Sequence, residues 1–328
     1  YDALSQGAGA ADSVAIGYEA LKNVTGDDNV AIGSSALAAL TTGVSNIVIG
    51  KNALDAAVLG ESYNIVIGQD AMGDADEGTG GGSFDKNVAI GHNALQGSDF
   101  AEENRTYHGH VAIGYEALKT GSGTTTCSGN VGIGYQAGTA ISTGEENVVI
   151  GYEALMTEDL GDGNTAIGYR ALKVQNGDDA ATYNTVIGSQ AGMAITNSVQ
   201  NVIIGYKAMT EHTTGHSNTA IGYNAMSKTN DSAATLTSSH NVFIGNLSGG
   251  GIWGNGAGEG TGSDYNVALG NGTLSGLMNG SDQNTAIGHD ALKIVTTGGN
   301  NTGLGKGAGI LLTTGSNNTF IGSTAGDT

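Results

Sequence analysis

The sequence lacks proline, has one cysteine, and is poor in aromatic (5%) and charged (13%) residues. Such a chain cannot build a thick core from large side chains, so whatever it buries must be a thin layer of Ile, Val, Leu and Ala. The lone Cys127 excludes an intrachain disulfide framework and a cysteine zinc cluster. Basic residues are scarce, 11 against 31 acidic ones, for a formal charge of −20. With no basic stripe to neutralise phosphates, nucleic acid and anionic membrane surfaces are poor partners. Apolar runs last only a few residues, too short for any segment to span a bilayer.

What the chain has is glycine, 58 of 328 residues, and a repeat. Asn29-Val-Ala-Ile-Gly33 returns as Asn46-Ile-Val-Ile-Gly50, Asn164-Thr-Ala-Ile-Gly168 and Asn218-Thr-Ala-Ile-Gly222, among seventeen such pentads ending at Gly322. Taking the pentad glycine as position 0, seven of the sixteen spacings are 17 residues, and the longer ones (20, 23, 25) read as loops inserted into a fixed coil. Position −4 is Asn in fifteen pentads, with Ser13 and His110 as exceptions, and −1 is always Ile or Leu. Position +3 is Ala in fifteen; +4 is Leu or Met in twelve and Gly in five.

The pentad is a short strand, β-branched and bounded by Asn and Gly. Alternation puts −3 and −1 on one face and −2 on the other. Both faces are apolar, which marks a strand sandwiched between two layers. In-register strands one coil apart predict an all-β, parallel β-solenoid of about 17 coils over residues 1–328, one continuous array with inserted loops near 73–86, 97–110, 227–240 and 248–265. One strand face fills the interior. The other needs a cover, and the small −2 residues, such as Ala166 and Ala220, point to a second copy packed against them. A homo-oligomer follows, for which a trimer around a fibre axis is the expectation, although the alternation does not fix the number of copies.

Each repeated column has a structural reading. Asn29, Asn46, Asn164 and Asn218 stand for a side-chain amide ladder bonding coil to coil. Gly33, Gly50, Gly168 and Gly222 permit positive φ or close backbone packing. The +3 and +4 residues plug the other side of the coil. Where +4 is Gly, as at Gly138, Gly192, Gly249 and Gly309, the plug shifts to Ile141, Ile195, Ile252 and Leu312. Tyr1-Asp-Ala-Leu4 repeats Tyr18-Glu-Ala-Leu21, so the array reads as a segment of a longer chain.

The pentads with their following residues, such as Asn164-Thr-Ala-Ile-Gly168-Tyr-Arg-Ala-Leu172 and Asn218-Thr-Ala-Ile-Gly222-Tyr-Asn-Ala-Met226, resemble the repeat arrays of bacteriophage tail fibres. Ser13-Val-Ala-Ile-Gly17 is similar to the head repeats of trimeric autotransporter adhesins, which fold as trimeric left-handed parallel β-rolls. The resemblance implies a structural, non-enzymatic fibre segment on a virion or cell surface. Its partners would be its own copies and a glycan or protein receptor.

Chemistry is thinly represented. Gly303-Leu-Gly305-Lys306-Gly307 mimics a phosphate loop, but no Ser or Thr follows the lysine and the glycines belong to the repeat. Asp74, Asp76 and Glu77 share one inserted loop and are the best calcium candidates, set against solvated charge as the simpler reading. The aromatic residues of the loops, Phe84, Phe100, Tyr107 and Trp253, either contact a surface ligand such as a sugar or cover a neighbouring coil, the second being favoured. Besides a virion fibre and a bacterial adhesin binding matrix or glycans, an ice-binding solenoid is a remote alternative. Thr occupies −3 at 165, 185, 219, 285, 302 and 319, but Val202, Val242 and Val267 interrupt the array.

Overall fold

The structure is a computed structural model describing residues 3–4, 10–56, 58–74, 83–97, 106–119, 127–158, 160–176, 182–229, 238–253 and 262–327. Among these residues it is all-β, without helix: a parallel β-solenoid. The chain divides into two compact units, Tyr1–Gly163 and Asn164–Thr328.

In the first unit eight three-residue strands stack in parallel, from Val14–Ile16 through Ile47–Ile49 to Val148–Ile150. Each occupies positions −3 to −1, and like pairs with like: Val14 with Val30, Ala31 with Val48, Ile133 with Ile150. The second unit stacks nine such strands, from Thr165–Ile167 to Thr319–Ile321, in the same register. Longer coils add short second ladders. Ser83–Asp85, Thr106–His108 and Cys127–Ser128 form one, and Lys228–Thr229 pairs with Ile252–Trp253 in the other.

The strands turn one way only. Position −2 points inward: Ala31, Val48, Val66, Ala166, Ala220 and Phe243 are fully buried. Positions −3 and −1 point outward, and Ile47, Ile49 and Ile65 remain 43%, 36% and 38% exposed. This corrects the expectation that Ala166 and Ala220 face a second copy. Small residues stand at −2 because the coil interior is thin and +3 and +4 fill it from the other side.

That interior is balanced by volume. Gly132 and Gly303, at −2, leave room taken by Leu118 and Leu292; a Cβ on either glycine would collide with them. At +4, Ile141 fills the space beside Gly138 and Ile195 that beside Gly192, as the shifted-plug reading expects. Gly249 and Gly309 differ. The Phe243 ring fills the first space and Leu292 with the Phe320 ring the second, rather than Ile252 and Leu312.

The corners are unusual. Positions −5, +2 and +4 adopt left-handed φ with ordinary side chains: Lys86 (60°), Glu153 (50°) and Leu155 (43°) are examples. This conformation costs roughly 1–2 kcal/mol per non-glycine residue. It persists because the turned backbone keeps bonding along the stack: Ser35 N donates to Tyr18 O at 2.7 Å and Leu37 N to Ala53 O at 3.2 Å. Position 0 lies at φ values such as 140° (Gly33), where a Cβ would also strike the carbonyl of Gly50 in the next coil. Only glycine fits there.

The Asn column forms the expected ladder. Asn46 donates from both its backbone N and its Nδ2 to Asn29 Oδ1 at 3.0 Å, while Asn46 Nδ2 also reaches the Glu61 carbonyl at 2.7 Å. In the second unit Asn218 N meets Asn201 Oδ1 at 2.9 Å, and Asn164 Oδ1 accepts from Asn184 N at 3.0 Å. The buried amides of this column thus have their donors and acceptors matched, as burial demands.

Candidate functional site: the outward strand face

Because −4 and −2 point inward, −5, −3, −1 and +1 all point outward and make one broad face in each unit. The central two columns, −3 and −1, hold only Val, Ile, Thr and Leu in all seventeen pentads. No charge interrupts them. Large patches of this kind are uncommon on soluble monomers.

The +1 column borders this stripe with rings. In the first unit His92, Tyr115, Tyr135 and Tyr152 stack in sequence, with centroids 5.6, 5.1 and 4.9 Å apart and planes within 13°. In the second, Tyr206 and Tyr223 stack at 5.5 Å, with Lys207 Nζ 5.3 Å from the Tyr206 centroid. These tyrosines are 41–50% exposed, yet each has at least one face stacked on a neighbouring ring. Tyr18, Tyr63 and Tyr183, 53%, 58% and 54% exposed, stand on the same face outside these stacks. A sugar platform needs a free ring face, so the stacked ladder suits protein contact better. Beside it, Gln136 Nε2 donates to Glu116 Oε2 at 2.7 Å and Lys119 Nζ meets Oε1 at 3.1 Å. The Gln136 bond first, then Lys119, holds the Glu116 carboxyl below its ordinary pKa, and that carboxylate in turn raises the Tyr115 phenol.

The residues singled out from the sequence scatter. Phe84 and Tyr107, 4% and 3% exposed, stack on each other inside the first unit at 5.0 Å; Trp253, 1% exposed, packs edge-on to Phe243 and His212. All three therefore cover neighbouring coils instead of presenting a surface contact. Phe100 lies outside the described residues, as do Asp76 and Glu77. Asp74 accepts from Gln96 Nε2 at 3.0 Å. Among the described residues no three His, Cys, Asp or Glu side chains converge in a way that could hold a metal ion. None of the described elements is a helix long and apolar enough to cross a membrane.

Several acidic residues have a role that sequence reasoning missed. At −6, outside the Asn column, a side-chain acceptor caps the −6 amide of the preceding coil. Asp85 Oδ1 takes Ser62 N at 2.8 Å, Asp162 Oδ1 takes Glu145 N at 2.8 Å, and Asp282 Oδ1 takes Asp264 N at 2.8 Å. Ser62 and Ser239 do the same with hydroxyls and His216 with Nδ1. The signal was present as an Asp/Ser column two residues before the Asn, blurred because its members differ chemically.

Ser83, His108 and Asp85 also meet. Ser83 Oγ lies 2.7 Å from His108 Nε2, with Asp85 Oδ2 3.7 Å from that same nitrogen. A carboxylate that orients a general base must hold the opposite ring nitrogen. Asp85 does not.

The chain matches no family model, and comparison with curated proteins and with solved structures returns no similar one.

Proposed function

We propose that this chain is a structural fibre segment, of a phage tail fibre or a comparable extracellular fibre, whose seventeen coils act as one array and whose copies associate as a homotrimer through their outward strand faces. One observation carries the reading: the uncharged −3/−1 stripe bordered by edge-on tyrosines. At roughly 4.8 Å per strand the eight strands of the first unit alone extend it about 38 Å. Such a stripe is stabilised by contact with apolar surface, and a second copy offers the same stripe. The alternative, a bacterial surface adhesin binding matrix or glycans along its side, would rest on the rings outside the stacks, Tyr18, Tyr63 and Tyr183, rather than on the stacked ladder.

Sedimentation equilibrium tests the proposal, with a trimer mass expected for the full chain. Ile47→Asp with Ile65→Asp puts adjacent like charges on the outward face and should dissociate the trimer while leaving the far-ultraviolet circular dichroism of the coil intact. Ala31→Asp, pointing inward, should unfold the coil instead, because it buries an unpaired carboxylate. A monomeric, soluble native chain would end the trimer reading.

A further inference from the structure

In the second unit, the outer corner of two successive coils forms a half-open cavity of about 160 Å³. Lys207 and Asn224 at +2, Thr210 and Ser227 at +5, and Glu211 and Lys228 at +6 form its wall. At ~30 Å³ per water, the space is that of about five water molecules, enough for a small polyatomic ion.

Two features single it out. The chain carries 11 basic residues against 31 acidic, yet here two lysines meet one carboxylate, a local excess of positive charge in a strongly anionic protein. Two of the wall residues also carry buried polar atoms without partners. Ser227 is 5% exposed, and its buried Oγ has no hydrogen-bond partner among the described residues. Asn224 Oδ1 is buried and equally unpartnered. Thr210 is committed elsewhere, its hydroxyl donating to the Gln190 carbonyl at 2.7 Å. Folded proteins seldom leave buried polar atoms unpaired, so an unpaired hydroxyl and an unpaired amide oxygen in a wall that also carries two lysines describe a complementary guest.

We infer that this cavity binds a small anion that also bears a hydroxyl group. Lys207 and Lys228 neutralise the anionic oxygens, Ser227 Oγ donates to one of them, and the guest's O–H donates to Asn224 Oδ1. Hydrogen phosphate has this chemistry, as does a hydroxy-carboxylate. The inference is independent of the fibre reading, because both coils belong to one chain and no wall residue stands in the −3 or −1 columns, although Lys207 Nζ also reaches the Tyr206 ring that borders them.

Isothermal titration of the full chain at neutral pH and constant ionic strength tests it, with inorganic phosphate, sulfate, glycolate and acetate as probes. Saturable binding is expected for phosphate or glycolate, whichever is tighter naming the source, and weaker binding for sulfate and acetate, which lack the hydroxyl. Lys207→Gln with Lys228→Gln should weaken it by about tenfold or more, and Ser227→Ala by a smaller factor, since charge-assisted bonds are the stronger ones. Lys51→Gln, outside the cavity, should change nothing. Circular dichroism of each variant verifies the fold. Absence of saturable binding by any probe, or affinity unchanged in the double-lysine variant, would overturn the site. Sulfate binding as tightly as phosphate would overturn the hydroxyl contact to Asn224.

Discussion

His110 shows how one residue can take another's place in a ladder. It stands at −4, where the column runs in Asn except here and at Ser13, and it reproduces the amide's bonding with a ring. Its backbone N donates to Asn87 Oδ1 at 3.0 Å, its Nδ1 accepts from Asn130 N at 3.3 Å, and its Nε2 donates to the Cys127 carbonyl at 3.1 Å. The arrangement works only for the neutral ring with the proton on Nε2, because protonated Nδ1 cannot accept. Burial lowers its pKa to about 4, against an ordinary 6.5. The unfolded chain therefore binds the proton more readily than the folded one. The stability this residue supports is present above about pH 6.5, erodes as pH falls, and is lost below about pH 4. His110→Asn restores the amide and removes the titration. At pH 7 the variant should match the native chain. At pH 4 it should be more stable by up to about 3 kcal/mol, as denaturant unfolding at both pH values would measure. His212, fully buried with its pKa also lowered to about 4 by burial, keeps its share of the acid sensitivity in that variant. Identical pH profiles for the two proteins would refute this account of the ladder.

At the scale of the element, the strand was readable and its sidedness was not. Val30-Ala31-Ile32 is a strand because its residues are β-branched or small and lie between Asn29 and Gly33, all of which is local. Which face looks inward is not local. With Val and Ile on one side and Ala on the other, alternation alone supports either orientation. The choice falls to the +3 and +4 residues that share the interior, such as Ala36 and Leu37, both fully buried. The volume exchange between Phe243 and Gly249 belongs to the same layer and is visible only once −2 and +4 are known to meet. The left-handed corners were equally hidden, because residues as different as Lys86, Tyr63 and Glu146 hold them at −5. Their coil-to-coil bonds, not their side chains, impose the conformation; Lys86 N, for instance, donates to Ser62 O at 3.0 Å. Gly109 and Gly129 occupy the same position at φ 70° and 69°. Lys86→Gly should therefore remove more strain than the added chain entropy costs and stabilise the protein by about 0.5–1 kcal/mol. Lys86→Val, β-branched in a left-handed corner, should destabilise it by about 1 kcal/mol or more. Thermal unfolding would rank the three proteins, and a ranking with valine at the top would contradict the strain argument.

At the scale of the whole molecule, charge and apolar surface are separated. The formal charge is −20, yet the −3 and −1 columns carry none of it. Part of the acidic total is absorbed at −6, where Asp85, Asp162, Asp264 and Asp282 cap amides of neighbouring coils, so those carboxylates hold the stack together while keeping the surface anionic. Association through the outward strand face would then bring like-charged bodies together around an uncharged contact. Salt acts on the two parts differently. The Debye length falls from about 30 Å at 0.01 M salt to about 8 Å at 0.15 M, which screens repulsion between copies without weakening apolar burial. Self-association of the full chain should accordingly strengthen as sodium chloride rises from ~0.01 to ~0.15 M and persist at ~1 M. An interface built on ion pairs would respond in the opposite sense. Sedimentation at the three salt concentrations separates the cases: copies that come apart as salt is raised would show that charged groups, and not the Val/Ile/Thr stripe, hold them together.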